Sequence, residues 1–532
     1  MFFEPQRSTE WNAPKNFPWT MGRQPGFAPI SSLKPMKFEG ETWNLFGDVI
    51  GAGVGGRPLE PRTPAGRHTP PPAWTRAGVF LWPELADNRR FAPSLHAPGP
   101  SARPLPMSDR RKLLRSIFDA AVAAAHPDGI LGAHLPRAPK GRVICLAAGK
   151  GAAAMAAAAE RHYLDDVGLD PARLTGIATT RHGHRVPTRR IEAIEAGHPV
   201  PDEAGLRGAD ASLKLAATAA ADDLLLVLLS GGGSANWIAP VDGVTFAQKQ
   251  QVNRALLRSG APIGEVNTVR KHLSRIKGGR LARAGRRAEI VTLAISDVPR
   301  DEPSAIASGP TVPDPTTLAD ARALVATYNL TLDDAVARAL NDPANESCKP
   351  GDAAFARARF EIVARPQQSL DAAVRVARDA GYEVLDLGAD LEGEARDVAA
   401  AHAKLALEAR ATGRRLAILS GGELTVTVRG NGRGGPNQEY ALSLAAALRD
   451  IPGISALAAD TDGADGGAGS ATDPAGAIID ARTFAAMRAL DPAAYLANND
   501  ATAFFSATGD LLLTGPTLTN VNDIRAILVD RV

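Results

Sequence analysis

Two apolar runs in this chain end in the same kind of turn: Leu224–Leu229 leads into Ser230-Gly231-Gly232-Gly233-Ser234, and residues 416–419 lead into Ser420-Gly421-Gly422-Glu423. Glycines at such a point turn successive backbone N–H groups into a concavity and leave no Cβ in the way of a ligand. The chemistry this serves is the seating of a phosphate or a carboxylate. The two turns lie far apart in the chain, so they predict two domains facing one another across an anion-binding cleft. A third turn, Gly149-Lys150-Gly151, carries a lysine to the start of a helix. A cation there reinforces a positive site and can meet a migrating phosphoryl group. Asp297, in Ser296-Asp297-Val298-Pro299, follows the apolar run Glu289–Ile295. An aspartate at a strand end can accept a substrate hydroxyl proton or hold magnesium, and the plainer alternative is a helix N-cap. The turn around Ser308 and Gly309 is a further cradle for oxygen atoms.

Nearer the C-terminus, Asn431-Gly432-Arg433-Gly434-Gly435-Pro436-Asn437 surrounds one arginine with glycine, which lets the guanidinium and nearby N–H groups converge on an anion. Asp460, Asp462 and Asp465 crowd the loop after another apolar run. Their repulsion calls for a counter-ion, magnesium or an arginine, and the loop lacks the closing glutamate of a calcium EF-hand. Residues 181–190 hold four arginines and two histidines, for which a solvated face is the plainer reading. His198-Pro199-Val200-Pro201-Asp202 reads as a rigid turn, with a substrate role left open. Gly149, Gly151 and Ala154 also satisfy the G-x-G-x-x-A spacing of a dinucleotide site. That fingerprint wants an acidic residue at the end of the next strand to hold the ribose. Here the strand ends Thr179-Thr180-Arg181, which fails for NAD and suits NADP only weakly.

The elements that must hold these residues alternate. Strands are expected at 143–147, 176–180, Leu224–Leu229, Glu289–Ile295, 361–363, 382–385, 416–419 and 454–459, with helices between them and a hairpin-like segment at 424–429. Such alternation means crossover connections and a mostly parallel sheet covered on both faces, with the chemistry at the carboxyl ends of the strands. The 532 residues need two or three cores. A net charge of +2, with no basic stripe, argues against nucleic acid. No apolar run approaches the roughly 20 residues that span a bilayer, and no signal peptide opens the chain. The two cysteines offer no disulfide framework, which fits the cytoplasm, and the ten scattered histidines show no zinc spacing. Residues 1–106 hold 18 of the 40 prolines and five of the six tryptophans. They are expected to be a disordered leader or to precede the true start, the rival being a Trp-rich arm that docks on a partner. An amphipathic helix opens at Met107, with Leu113, Leu114, Ile117, Phe118 and Ala121 at helical spacing and Ser108 or Asp109 as its cap.

Nine segments in one order, LAAGKGAAAM, EAGHPVPDEAG, LLSGGGSANW, NTVRKHLSRIKGGRLA, ISDVPRDEPSAIASGPTVPDPTT, SGGELTVTVRGNGRGGPNQEYAL, AADTDGADG, LANNDATAFF and LLLTGPTLTNVND, resemble the bacterial glycerate 2-kinase family with its C-terminal MOFRL domain. The resemblance covers about residues 107–532. It implies two α/β domains with a cleft between them, a Rossmann-like domain at 107–348 and a MOFRL domain at 349–532. It further implies transfer of the γ-phosphoryl group of ATP, with Mg2+, to the 2-hydroxyl of D-glycerate. Lys150, Asp297 and Arg433, the last in preference to Arg429, match the residues that carry catalysis in that family. Candidates for the substrate carboxylate are the turn at Gly231, Gly232, Gly233 and Ser234, and Arg270 or Lys271. The Ser420 turn and the Asp460 to Asp465 loop are the candidates for nucleotide and metal, although the two Ser-Gly-Gly turns stay unassigned. Leu518, in Gly515-Pro516-Thr517-Leu518-Thr519-Asn520, stands where glycine is expected. Alternatives are an NAD(P)-dependent hydroxypyruvate reductase and a non-catalytic sugar-acid binding protein. A homodimer is left open.

Overall fold

The computed structural model describes residues 106–467 and 470–531, and apart from these only the antiparallel pair Met36–Glu39 with Thr42–Leu45, which belongs to a separate unit. The remainder of 1–105 lies outside the described residues, and with it the expectations of a leader or a docking arm. Among the described residues no helix is long and apolar enough to cross a membrane.

The first sheet is parallel throughout. Its strands are β1 (Val143–Ala148), β2 (Leu174–Arg181), β3 (Ile191–Ala196), β4 (Leu224–Leu229), β5 (Glu289–Ile295) and β6 (Ala358–Ala364), in the spatial order β3-β2-β1-β4-β5-β6. Every residue of β1 and β4 is buried. This is why VICLAA and LLLVLL are apolar without alternation: a central parallel strand is covered on both faces. Between β1 and β4 the order of the strands reverses, and in open α/β sheets ligands gather outside such a switch point. The turns at Gly149 and Ser230 both lie there. The connection after β4 adds helices α4 (Phe246–Arg258) and α5 (Ile263–His272), which share a small core of Val252, Leu256, Val266 and Val269 with Leu318 and Leu340.

The second sheet has the order β11-β10-β9-β12-β8-β7, from β7 (Glu383–Asp386), β8 (Leu416–Ser420), β9 (Ile454–Asp460), β10 (Gly476–Ile479), β11 (Leu511–Leu512) and β12 (Asp523–Val529). Here the mostly parallel expectation fails: only β7 and β8 run parallel, because the last strand of the chain inserts antiparallel between β8 and β9. The hairpin-like segment is likewise no hairpin. Leu424–Thr425 pairs in parallel with Gly393–Glu394, and the glycine-rich continuation forms no ladder.

The expected boundary at 348 is displaced at both ends. β6 lies beyond it yet pairs with β5, while α1 (Met107–Ala123) packs on the other sheet. Leu114, Ile117, Phe118 and Ala121 of α1 meet Leu370, Ala373 and Ala377 of α6 (Pro366–Asp379), together with Leu419 and Leu457 of the second sheet. Full burial of each large side chain contributes about 1.5–3 kcal/mol, so the apolar stripe decides where α1 docks. Arg110 to Asp530 at 3.0 Å and Arg111 to Asp480 at 2.9 Å fix its orientation. Its N-cap is Pro106, without a side-chain cap, where Ser108 or Asp109 was expected.

Candidate active site

The turns at the switch point interlock. Ser230 Oγ accepts a hydrogen bond from the Gly151 N–H at 2.9 Å, and the Lys150 N–H donates to the Gly231 carbonyl at 2.8 Å. Gly149, at φ +124°, has no room for a Cβ against Ser230, and a Cβ on Gly231 would collide with Asn520 Nδ2 and Asp297 Oδ2. Glycine is required here for close approach, as the anion-turn reading demands. The turns converge on a cleft of about 540 Å³, lined among others by Lys150, His198, Gly232, Ser234, Asp297, Glu423, Asp460, Asn520 and Asp523.

Lys150 Nζ lies 2.6 Å from Asp462 Oδ2, and Arg181 approaches the same oxygen at 3.5 Å. Burial pulls the Lys150 ammonium down, but Asp462, Asp460 and Asp297 outweigh it and hold the group charged. Asp297 accepts from Asn520 Nδ2 at 2.8 Å. Burial raises its carboxyl above the usual range despite Lys150, which improves it as a proton acceptor. The imidazole of His198, pushed down to about 3 by burial and by Lys150, is neutral, and its Nδ1 has no partner.

The three expected metal-binding aspartates separate. Asp462 is taken by Lys150. Asp465 accepts from the N–H groups of Asn437 and Gln438 at 2.9 and 2.8 Å and from both side-chain amides. It therefore anchors the start of α8 (Pro436–Ala447) rather than facing the cleft, and Asn437 is part of that buried lock, donating also to Asp523 Oδ1 at 2.7 Å. Only Asp460 remains at the cleft. Its cross-strand partner in β12 is Asp523, whose charge is met by Arg525 at 2.9 Å and whose two oxygens are taken by Arg525 and Asn437. Burial raises both carboxyls, and Glu423 beside them is pushed up to about 7 by burial, Asp523 and Asp297. Among the described residues no three His, Cys, Asp or Glu side chains form a metal cage. The single carboxylate of Asp460 suffices for magnesium only where water and substrate phosphate complete its shell.

The Ser420-Gly421-Gly422 turn is not open. Arg525, buried in β12, donates to Ser420 Oγ at 3.1 Å, to the Gly421 carbonyl, and to Asp523 Oδ2 at 2.9 Å. The turn is thereby a support for Glu423 and Asp523 rather than an empty nest. On the opposite wall, Arg270 lines the cleft but Lys271 does not: its ammonium is 3.3 Å from buried Asp314. Successive residues of a helix point to different faces, and only one of the two can reach the cavity. Ser308 Oγ is 2.7 Å from Ser234 Oγ, and Gly309, at φ +60°, completes the turn behind it.

Arg433 does not line the cleft; its side chain is 65% exposed and stands 3.5 Å from Asp473. Leu518 has φ +65°, so the position expected to hold glycine does demand a left-handed residue. Sequence reasoning missed Asn520, Asp523, Lys249 and Lys277. Asn520 and Asp523 lay within LLLTGPTLTNVND and Lys277 within NTVRKHLSRIKGGRLA, whereas Lys249 lies on a helix that carried no signal.

Comparison with known proteins gives matches over most of the chain. Residues 113–341 match the domain of unknown function DUF4147, and residues 416–523 match the MOFRL family. A protein of Agrobacterium vitis, provisionally named hydroxypyruvate reductase, is 50% identical over 427 residues, which are 79% of this chain and 94% of that protein. D-Glycerate 2-kinase of Thermotoga maritima is 38% identical over 421 residues, 78% of this chain and 97% of its own length. The crystal structure of glycerate kinase from Thermotoga maritima matches with a TM-score of 0.69 at 37% identity, over 79% of this chain and 100% of that one.

Proposed function

The chain belongs to the glycerate kinase family and is a kinase, and on that premise we propose that it transfers the γ-phosphoryl group of ATP to the 2-hydroxyl of D-glycerate, giving 2-phosphoglycerate and ADP. The observation that carries the reading is Lys150 and Asp297 at the ends of β1 and β5, on either side of β4, held in one cleft by turns whose glycines leave no room for a Cβ. The glycerate hydroxyl oxygen forms a bond to the γ-phosphorus, the bond to the β-phosphate oxygen breaks, and the hydroxyl proton goes to Asp297. Asn520 orients the accepting carboxylate through its 2.8 Å hydrogen bond. Lys150 neutralises charge on the transferring group, and the low exposure of its side chain, 11%, strengthens that interaction. Magnesium held by Asp460 would neutralise the nucleotide phosphates. Positioning and electrostatics supply nearly all that such a transfer needs.

The reductase name borne by the Agrobacterium relative finds no support in the end of β2, where Thr179 and Thr180 are buried and Arg181 faces Asp462. The test is incubation with ATP, magnesium and D-glycerate in the presence of enolase, which accepts 2-phosphoglycerate but not its 3-isomer. Immediate formation of phosphoenolpyruvate is expected. Absence of ATP consumption, or NADH oxidation by hydroxypyruvate, would overturn the reading.

A further inference from the structure

The cleft has a second charged region that the transfer chemistry above does not use. Lys249, on α4, and Lys277 are buried, at 1% and 2% exposure, and Arg270 of α5 lines the same wall. Among the described residues none of the three has a carboxylate partner. Lys249 Nζ donates to the Arg270 carbonyl at 2.9 Å, Lys277 Nζ to the Ser234 carbonyl at 2.9 Å, and Arg270 Nε has no acceptor. Buried cations facing a cavity without counter-charge are costly unless an anion joins them. Burial and mutual repulsion push Lys277 down to about 7 and Lys249 well below its usual value, as expected of a wall made for a polyanion.

The same two helices and the turn at residues 198–202 place apolar side chains at the mouth. Leu257, Ile263 and Val200 are 61%, 63% and 64% exposed, and all three line this cleft. They are three of seven large exposed apolar side chains among the described residues, so their gathering at one rim marks a contact surface. The helices are joined by residues 259–262, and each carries to the cleft one cation and one exposed apolar residue. Lys249 and Leu257 lie on one face of α4, about 12 Å apart along the axis at 1.5 Å per residue; Ile263 and Arg270 lie on one face of α5, about 10 Å apart. A ligand with multiple negative charges at one end and a flat apolar group at the other, separated by about that distance, matches both helices at once.

We propose that the wall formed by α4, α5 and the adjoining turns is the seat of the nucleoside triphosphate, with the phosphate chain on Lys249, Arg270 and Lys277 and the base against Leu257, Ile263 and Val200. This rests on the kinase reading for the identity of the nucleotide, and it reverses the expectation that the Gly231 wall and Arg270 receive the substrate carboxylate. The hydroxy acid then takes the part of the same cleft lined by Asp297, Glu423 and Asn522. A three-carbon acid is small enough to share the cleft of about 540 Å³ with a nucleotide.

The test uses the full chain and a fluorescent ATP analogue. The rim variant Leu257→Glu/Ile263→Glu alters only exposed side chains, and circular dichroism verifies that it folds. Expected are an at least tenfold weaker affinity for the analogue, an equal rise in KM for ATP, and a KM for D-glycerate within twofold of wild type. Inorganic tripolyphosphate should displace the analogue from the wild-type protein and lose at least tenfold in affinity in Lys249→Met. Unchanged analogue affinity in the rim variant, or a rise confined to the KM for glycerate, overturns the assignment. The binding arm needs no turnover: if the wild type bound the analogue at the rim yet failed to phosphorylate glycerate, the seat would stand and the proposed reaction would fall.

Discussion

Replacing Lys277 with methionine should make the protein more stable while depriving it of affinity for its anionic ligand. The lysine is 2% exposed, and burial together with Arg270 lowers its ammonium from 10.5 to about 7. Each pH unit of that gap is worth about 1.4 kcal/mol, so holding the charge inside costs about 5 kcal/mol below pH 7. The hydrogen bond to the Ser234 carbonyl at 2.9 Å, of a kind that contributes about 1.5–3 kcal/mol, offsets part of this. A net gain of about 2 kcal/mol is expected for Lys277→Met at pH 6.5. Because the folded state loses its proton near pH 7 and the unfolded chain only near 10.5, the unfolded state binds more protons between those values. Wild-type stability should therefore rise with pH across that window relative to the variant, and the advantage of Lys277→Met should shrink from pH 7 to 10. Urea unfolding of both proteins at pH 6.5, 8 and 9.5 measures it. A variant less stable than wild type at pH 6.5, or a difference that does not change with pH, would refute the reasoning.

Asp297→Asn keeps an acceptor for Asn520 but removes the proton acceptor, so kcat should fall at least a hundredfold with the unfolding midpoint little changed; steady-state assay with denaturation of the same sample decides it. Lys150→Ala should also abolish turnover, but it leaves Asp462 facing only Arg181 at 3.5 Å, so a loss of about 3 kcal/mol in urea stability should accompany it. Arg525→Met should cost about 3–5 kcal/mol by stranding Asp523 and the Ser420 turn, and adding Asp523→Asn should recover part of the loss in a double-mutant cycle. Arg433→Ala, at an exposed pair with Asp473, should change stability by less than 1 kcal/mol and kcat by less than tenfold; a hundredfold loss would mean that this loop closes onto the cleft during turnover.

The local chemistry was legible in the residues themselves. Gly149, Gly231 and Gly232 announce turns without Cβ atoms, LLLVLL announces a strand covered on both faces, and Asp297 after Glu289–Ile295 announces a carboxylate at a strand end; each depends on a few adjacent residues and so survives in one dimension. Even Leu518, out of place in its motif, pointed to the left-handed φ of +65° that it adopts. What neighbours in sequence could not reveal was partnership across the fold. The resources of Asp465 are spent on Asn437 and Gln438, those of Lys271 on Asp314, and those of Asp462 on Lys150. Asp523, a residue at the start of a buried strand, becomes a cleft carboxylate only because β12 enters antiparallel and sets it opposite Asp460. Strand order and helix docking are decided by which apolar faces bury one another across long loops, and no short stretch of sequence carries that information. The residues able to handle an anion were thus written in the chain, and tertiary packing alone chose which of them remain unpaired and face the same cavity.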